Sequence, residues 1–137
     1  MHECNVHRDH SSRLHGHDAR RALADARDPG IRVTLLHERP GAFVIPNPWN
    51  AGTARILTAL GFKALATTSA GFAWTLGRPD NGVTLEEVLE HLRLVVDAVT
   101  VPVNADFEGG FAADPDEIHA NVKLAVATGV AGLSVED

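Results

Sequence analysis

The stretch VPVNADFEGGF, Val101 to Phe111, decides the fold. Its apolar start predicts a buried β-strand over Val101–Ala105, and this strand runs directly into the acidic residues Asp106 and Glu108. A buried strand that ends in polar functional groups is typical of a parallel sheet, whose sites lie at the carboxyl ends of the strands. The stretch therefore predicts an α/β protein.

A helix and a further strand follow this stretch. Asp114 and Pro115 are typical of an N-cap and a first helical residue, and the pair Thr128-Gly129 predicts the end of that helix. The run Val130–Val135 predicts the next strand, and Glu136-Asp137 follows it. The chain thus continues as another βα unit.

The same alternation extends toward the N-terminus. Thr84 and Glu87 form a capping-box pattern that predicts a helix over Leu85–Ala98. Before it we expect a loop from Ser69 to Val83, whose length of 15 residues favours a functional role. The remaining predicted elements are a strand at Ala64–Thr68, a helix at Ala51–Leu60 with Asn50 as its N-cap, and a first strand at Ala42–Pro46.

Residues 1–34 differ from the rest and are interpreted as a variable, partly disordered extension. Five of the eight histidines lie there, namely His2, His7, His10, His15 and His17. A helix is expected over Ala19–Ala26, Asp28-Pro29-Gly30 is expected to break it, and Ile31–His37 is expected to form a second short helix. The irregular histidine spacing matches no defined metal site.

Four consecutive βα units without a Gly-x-Gly-x-x-Gly motif after the first strand argue against a dinucleotide-binding sheet. Parallel strands must be covered on both faces or closed into a barrel, and four strands cannot close an eight-stranded barrel. We therefore expect residues 35–137 to be the N-terminal half of a (β/α)8 TIM barrel, truncated after strand four.

The bulk composition excludes several classes of protein. The 137 residues carry a net charge of -6 and no basic stripe, so we expect no nucleic-acid or membrane partner. The single cysteine, Cys4, cannot form an internal disulfide, which favours a cytoplasmic location.

Acidic and small residues follow three of the four predicted strands, at Ser69-Ala70-Gly71, Asp106 to Glu108, and Glu136-Asp137. Carboxylates from neighbouring strand ends repel one another unless a cation neutralises them, and Mg2+ prefers carboxylate and water oxygens. Because no histidine or cysteine lies at these ends, the pattern disfavours zinc and predicts a magnesium site.

Five ordered blocks at these positions resemble the isocitrate lyase and phosphoenolpyruvate mutase superfamily, in particular its phosphonomutase-like branch. The blocks are IPNPWNAG (45–52), ATTSAGFA (66–73), LGRPD (76–80), VNADFEGGF (103–111) and GLSVED (132–137), within a similarity that covers Leu35 to Asp137.

This resemblance implies residue roles. The turn formed by Ser69, Ala70 and Gly71 is similar to the family's carboxylate-binding turn. Asp80 is similar to the family's aspartate that lies beside the metal and the reacting centre. Asp106 is similar to its direct magnesium ligand, which also contacts substrate. Glu108 and Glu136 resemble ligands that act through bound water. Many members have Asp at the position of Glu108, so this chain departs from the pattern by one methylene.

The implied activity is Mg2+-dependent making or breaking of a C–C or P–C bond in small 2-oxo or 2-hydroxy carboxylates, through an enolate, in a homo-oligomeric enzyme. The family's catalytic cysteine motif follows strand four and is not in this sequence, so lyase, mutase and hydrolase stay open.

The alternatives concern both the chain and single residues. The chain alternatively is a non-catalytic half-barrel that folds only as an oligomer or with a missing C-terminal half. Asp80 alternatively has a purely structural role in the turn that contains it. His91 and His119 are expected on the surface, whereas Trp49 and Trp74 either line the pocket or pack beneath it.

Overall fold

The computed structural model describes residues 27–136, so most of the histidine-rich extension and the helix predicted at 19–26 lie outside the described residues. The first described helix, α1, covers Pro29–His37. Asp28 is its N-cap, with a carboxylate that accepts a hydrogen bond from the Ile31 N–H at 3.1 Å, and Pro29 stands in its first turn. The predicted helix break is therefore a helix start.

Four more helices and three strands follow, and they alternate except for two consecutive helices between the first and second strands. The helices are α2 (Ala51–Ala59), α3 (Ser69–Thr75), α4 (Leu85–Asp97) and α5 (Pro115–Val126), and the strands are β1 (Leu65–Ala66), β2 (Val103–Asp106) and β3 (Gly132–Ser134). The strands form one parallel sheet in the order β1-β2-β3. Leu65 pairs with Val103, and Asn104 pairs with Gly132. The predicted α/β class with a parallel sheet is confirmed.

The prediction of a first strand at Ala42–Pro46 is wrong. Residues 42–48 form no regular element, although the Pro46 carbonyl accepts a hydrogen bond from the Ala66 N–H at 3.1 Å beside β1. Because Pro46 and Pro48 have no N–H to donate, the segment cannot form a continuous ladder.

The predicted loop from Ser69 to Val83 is wrong in its first half, which is helix α3. Thr68 is the N-cap, and its hydroxyl accepts a hydrogen bond from the Gly71 N–H at 3.3 Å. This helix has only seven residues and little apolar periodicity, so no sequence pattern separated it from a loop.

The core lies between α4 and the sheet. One cluster includes Leu92, Ala105 and Phe107, which are fully buried, and a second joins Leu65 to Val95. Helix α4 contributes to both clusters, and its apolar stripe therefore fixes the sheet against the helical layer. Among the described residues, no helix is long and apolar enough to cross a membrane.

The capping box of α4 is formed as predicted. The Thr84 hydroxyl accepts a hydrogen bond from the Glu87 N–H at 3.3 Å, and the Glu87 carboxylate accepts one from the Thr84 N–H at 2.9 Å. Replacing Thr84 with Ala is expected to lower the free energy of unfolding by about 1 kcal/mol, measured by urea denaturation. The exposed Thr100 is the control for Thr→Ala replacement, and equal losses in the two variants would contradict the role of the cap.

The prediction that His91 is a surface residue is wrong, whereas His119 is exposed as expected. His91 is 6% exposed on α4, and its ring stacks on Phe72 with the ring centroids 3.9 Å apart. Among the described residues its Nε2 atom has no hydrogen-bond partner. Burial disfavours the charged ring and lowers the pKa of His91 from 6.5 to about 4.

From this lowered pKa we predict that His91 makes folding sensitive to acid. Because the folded pKa lies below the unfolded value, the unfolded chain binds more protons, and stability is lost as pH falls below about 6.5. We expect the loss from His91 at pH 5 to be on the order of 2 kcal/mol. His91→Gln should reduce the stability difference between pH 7 and pH 5, whereas His119→Gln should not. Identical acid sensitivity in wild type and His91→Gln would contradict this assignment.

Candidate functional site

The carboxyl ends of the parallel strands bring the predicted acidic residues to one edge of the sheet. Asp106 is the last residue of β2, Glu108 follows two residues later, and Glu136 lies two residues beyond β3. The pairing continues past the strands, because the Phe107 N–H donates to the Ser134 carbonyl at 3.0 Å and the Glu136 N–H to the Glu108 carbonyl at 2.8 Å. These two hydrogen bonds hold the Glu108 and Glu136 backbones together.

Backbone donors orient the Asp106 carboxylate. Its Oδ2 atom accepts a hydrogen bond from the Ser69 N–H at 2.8 Å, and its Oδ1 atom accepts a long one from the Glu108 N–H at 3.5 Å. The Asp106 N–H in turn donates to the hydroxyl of Thr67 at 2.9 Å. Each carboxylate oxygen can accept a second bond, so Asp106 is fixed in place with capacity left for a cation or ligand.

Glu108 is the electrostatic centre of this edge. It is 8% exposed, and its Oε1 atom has no hydrogen-bond partner among residues 27–136. Burial, followed by the negative charges of Asp80, Asp106 and Glu136, raises the pKa of its carboxyl above the usual value. A hard cation bound here would stabilise the negative charge of the buried Glu108 carboxylate and of the three acids around it.

Asp80 lies in an exposed turn between α3 and α4. Its carboxylate accepts a hydrogen bond from the N–H of Asn81, whose φ is 59°. The neighbouring Arg78 is bound to the Glu87 carboxylate at 2.7 Å, which anchors the turn to the start of α4. Asp80 therefore stabilises its own turn and also lies close enough to Glu108 for its negative charge to raise the pKa of the Glu108 carboxyl.

The acids at the strand ends fit a metal ion that keeps several bound waters better than one that is surrounded by protein ligands. Within the part of the chain that the structure describes, no three His, Cys, Asp or Glu side chains converge as a ready-made set of metal ligands. Mg2+ typically keeps several waters and binds one or two carboxylates directly. One direct ligand, with the other acids acting through water, is compatible with this loose arrangement.

The Ser69-Ala70-Gly71 segment is the first turn of α3 and not an open loop. Its Ser69 and Gly71 N–H groups are already bonded, to Asp106 and to the Thr68 hydroxyl. The Ser69 hydroxyl and the Ala70 N–H have no partner among the described residues. The turn thus offers a substrate fewer backbone donors than the sequence implied.

Trp49 fixes the position of this turn. A Cβ atom on Gly71 would lie 2.6 Å from Trp49 Cδ1, so the indole contacts the glycine directly. Trp49 also packs edge-on against Trp74 with the ring centroids 5.6 Å apart, and both indoles are about half exposed, at 45% and 54%. Trp49 therefore packs against Gly71 and Trp74 of α3, and no described groove is lined by both tryptophans.

Two grooves of about 280 and 370 Å3 lie on the described surface, one beside Trp49 and α2 and the other between α3 and α4. Neither is lined by Asp80, Asp106, Glu108 or Glu136. We base the candidate site on the strand-end carboxylates, because perturbed acids held by specific hydrogen bonds are a stronger chemical signal than an open apolar groove.

Sequence reasoning missed Thr67 as part of this site. Thr67 is 4% exposed, and its hydroxyl supports Asp106, which lies 39 residues later. The only local signal was a hydroxyl at the end of a predicted strand, and the partner could be known only from the sheet register.

Comparison with known proteins supports the family that the sequence blocks resemble. The model of a family described as phosphoenolpyruvate phosphomutase matches residues 33–137. The chain is 32% identical over 109 residues to 2-methylisocitrate lyase of Escherichia coli, which covers 78% of this chain and 36% of that protein.

Solved structures give the same result. A Burkholderia cenocepacia protein described as a lyase/mutase superposes with a TM-score of 0.79 and 47% identity, over 81% of this chain and 40% of the other. Oxaloacetate acetylhydrolase in complex with the product oxalate gives a TM-score of 0.72 and 29% identity, over 80% and 39%. The chain therefore spans less than half the length of each of these relatives.

Proposed function

The chain belongs to the phosphoenolpyruvate mutase and isocitrate lyase superfamily of TIM-barrel proteins, and from this membership we propose that the complete protein is a Mg2+-dependent enzyme acting on small 2-oxo or 2-hydroxy carboxylates. It would make or break a C–C or P–C bond through an enolate. The observation that carries the proposal is the buried Glu108 carboxyl, whose Oε1 atom lacks a hydrogen-bond partner in residues 27–136 and whose surroundings include three further acids.

In this proposal Asp106 binds the metal directly, while Glu108 and Glu136 hold it through water. Bound Mg2+ would supply the positive charge that offsets negative charge developing on the substrate oxygens. The Ser69 N–H keeps the Asp106 carboxylate in one orientation at 2.8 Å, so the metal-binding oxygens need little reorganisation.

The other residues bind and position substrate. The hydroxyl of Ser69 and the N–H of Ala70 would donate to the substrate carboxylate, and Gly71 lets Trp49 hold this turn against the loop before α2. Asp80 would lie beside the reacting centre, on the turn that Arg78 anchors to Glu87. Lyase, mutase and hydrolase reactions share these requirements, so the proposal does not select among them.

A specific observation supports the alternative of a non-catalytic half-barrel. Large apolar side chains stand exposed on several helices, including Ile56 at 61% and Leu94 at 55%. These side chains would be buried if another chain or a further segment packed on the helices. This alternative requires no metal or substrate binding, so the two are distinguished by a binding measurement.

The test is isothermal titration calorimetry of Mg2+ and oxalate with the protein expressed from its complete coding sequence. Oxalate is the probe because it has the shape and charge of a pyruvate enolate. The proposal predicts oxalate binding that requires Mg2+ and disappears with excess chelator. A folded protein that binds oxalate equally well without Mg2+, or does not bind it at all, would contradict the proposed function.

A further inference from the structure

The turn that carries Glu108 has an unfavourable backbone conformation. Glu108 and Phe111 have φ values of 47° and 59°, and Gly110 between them has a φ of 78°. Left-handed conformations of residues other than glycine cost about 1–2 kcal/mol each. The surrounding structure must therefore hold the turn in place.

Helix α5 supplies contacts that hold it. The Asn121 side-chain amide donates to the Gly110 carbonyl at 2.9 Å from a half-buried position. Ile118, one turn earlier, packs so closely that a Cβ atom on Gly110 would lie 2.8 Å from its Cγ2 atom. The turn is thus pressed against the helix and bonded to it.

The other side of the turn is held by the core and by β3. The Phe107 ring is fully buried and packs edge-on against Phe111 with the ring centroids 5.2 Å apart. The Gly110 N–H donates to the Phe107 carbonyl at 2.9 Å, and the Glu108 carbonyl accepts from the Glu136 N–H at 2.8 Å. Asn121 supplies the side-chain hydrogen bond to this turn from outside the strand ends.

We infer that Asn121 is a positioning residue: by holding the Gly110 carbonyl it keeps the Glu108 turn left-handed and directs the Glu108 carboxylate toward Asp106 and Glu136. The inference rests on the proposed function, since it assigns Asn121 to the affinity of that site for a divalent cation. Residues that hydrogen-bond a metal ligand directly typically change metal affinity by about 10–100-fold when replaced. Because Asn121 bonds the backbone two residues from Glu108, we expect an effect at the lower end of that range.

The test uses Asn121→Ala and Asn121→Leu in the protein expressed from its complete coding sequence. Asn121→Leu keeps a side chain of similar size but removes the donor without adding a charge, so it separates the hydrogen bond from packing and gives a second variant if Asn121→Ala folds poorly. Lys123→Ala, an exposed change on the same helix, is the control. We expect both Asn121 variants to raise the dissociation constant for Mg2+ in the presence of oxalate by about 10-fold or more, with no change in Lys123→Ala.

Amide hydrogen exchange without metal provides a second readout. The amides of Gly110 and Glu136 report the two ends of the turn and should exchange faster in the Asn121 variants. Unchanged exchange would overturn the inference. Because this readout needs no metal, it tests the role of Asn121 even if the wild-type protein binds no Mg2+ and the proposed function fails. A lower melting temperature with unchanged metal affinity would also overturn it, because Asn121 would then stabilise only the fold.

Discussion

Asp106→Asn is expected to weaken Mg2+-dependent oxalate binding by at least about 100-fold, which is the upper end of the effect known for residues that only support a metal ligand. The substitution removes the negative charge at the end of β2 but keeps the size of the side chain. An amide oxygen can still accept the hydrogen bond that the Ser69 N–H donates at 2.8 Å. The loss would therefore reflect missing charge and not a collapsed turn.

Asp116→Asn is the matched control, because Asp116 is an exposed carboxylate in the first turn of α5. It changes the net charge by the same amount at a position away from the strand ends. Titration calorimetry should give it the wild-type affinity. If Asp106→Asn bound Mg2+ and oxalate like this control, Asp106 would not be the direct ligand.

The largest expected effect on stability is that of Leu92→Ala. Leu92 is fully buried on α4 in the cluster that contains Ala105 and Phe107. Removing a buried leucine side chain loses its transfer free energy and leaves a cavity, so the free energy of unfolding should fall by about 2–5 kcal/mol. Urea denaturation, with the slope compared between variants, measures this loss.

Leu94→Ala is the control on the same helix. Leu94 is 55% exposed, two residues beyond Leu92, and its replacement should change the free energy of unfolding by about 0.5 kcal/mol or less. Similar losses for the two variants would mean that α4 does not bury the face assigned to it.

Helix starts were predictable because their chemistry is local. Thr84 and Glu87 satisfy each other's backbone N–H groups within one turn, and Asp114 and Pro115 complete the start of α5 without distant partners. The sequence thus predicted the three strands of the sheet and the helices α2, α4 and α5, but it also predicted a strand at 42–46 that is not formed and took α3 for a loop.

Where a residue's environment came from another segment, the predictions failed. His91 has the spacing of the buried stripe but a polar side chain, and its burial depends on Phe72 in α3. The strand expected at Ala42–Pro46 is not formed, because Pro46 and Pro48 have no N–H to donate to a β-ladder.

The candidate site was predictable only in outline. The parallel sheet brings the acids to one edge, as expected from their positions after the strands. Contacts such as Thr67 with Asp106 and Asn121 with Gly110 depend on register and packing, which no local pattern contains. Magnesium dependence and the individual residue roles stay predictions.

The most direct test of the central claim is to locate Mn2+ as a substitute for Mg2+ by anomalous X-ray scattering, in crystals of the protein from its complete coding sequence grown with oxalate. We predict one peak about 2.1 Å from an Asp106 carboxylate oxygen, with ordered water between the metal and both Glu108 and Glu136. A peak bound elsewhere, or crystals that contain oxalate at the strand ends without a metal, would contradict the claim that these carboxylates form one divalent-cation site.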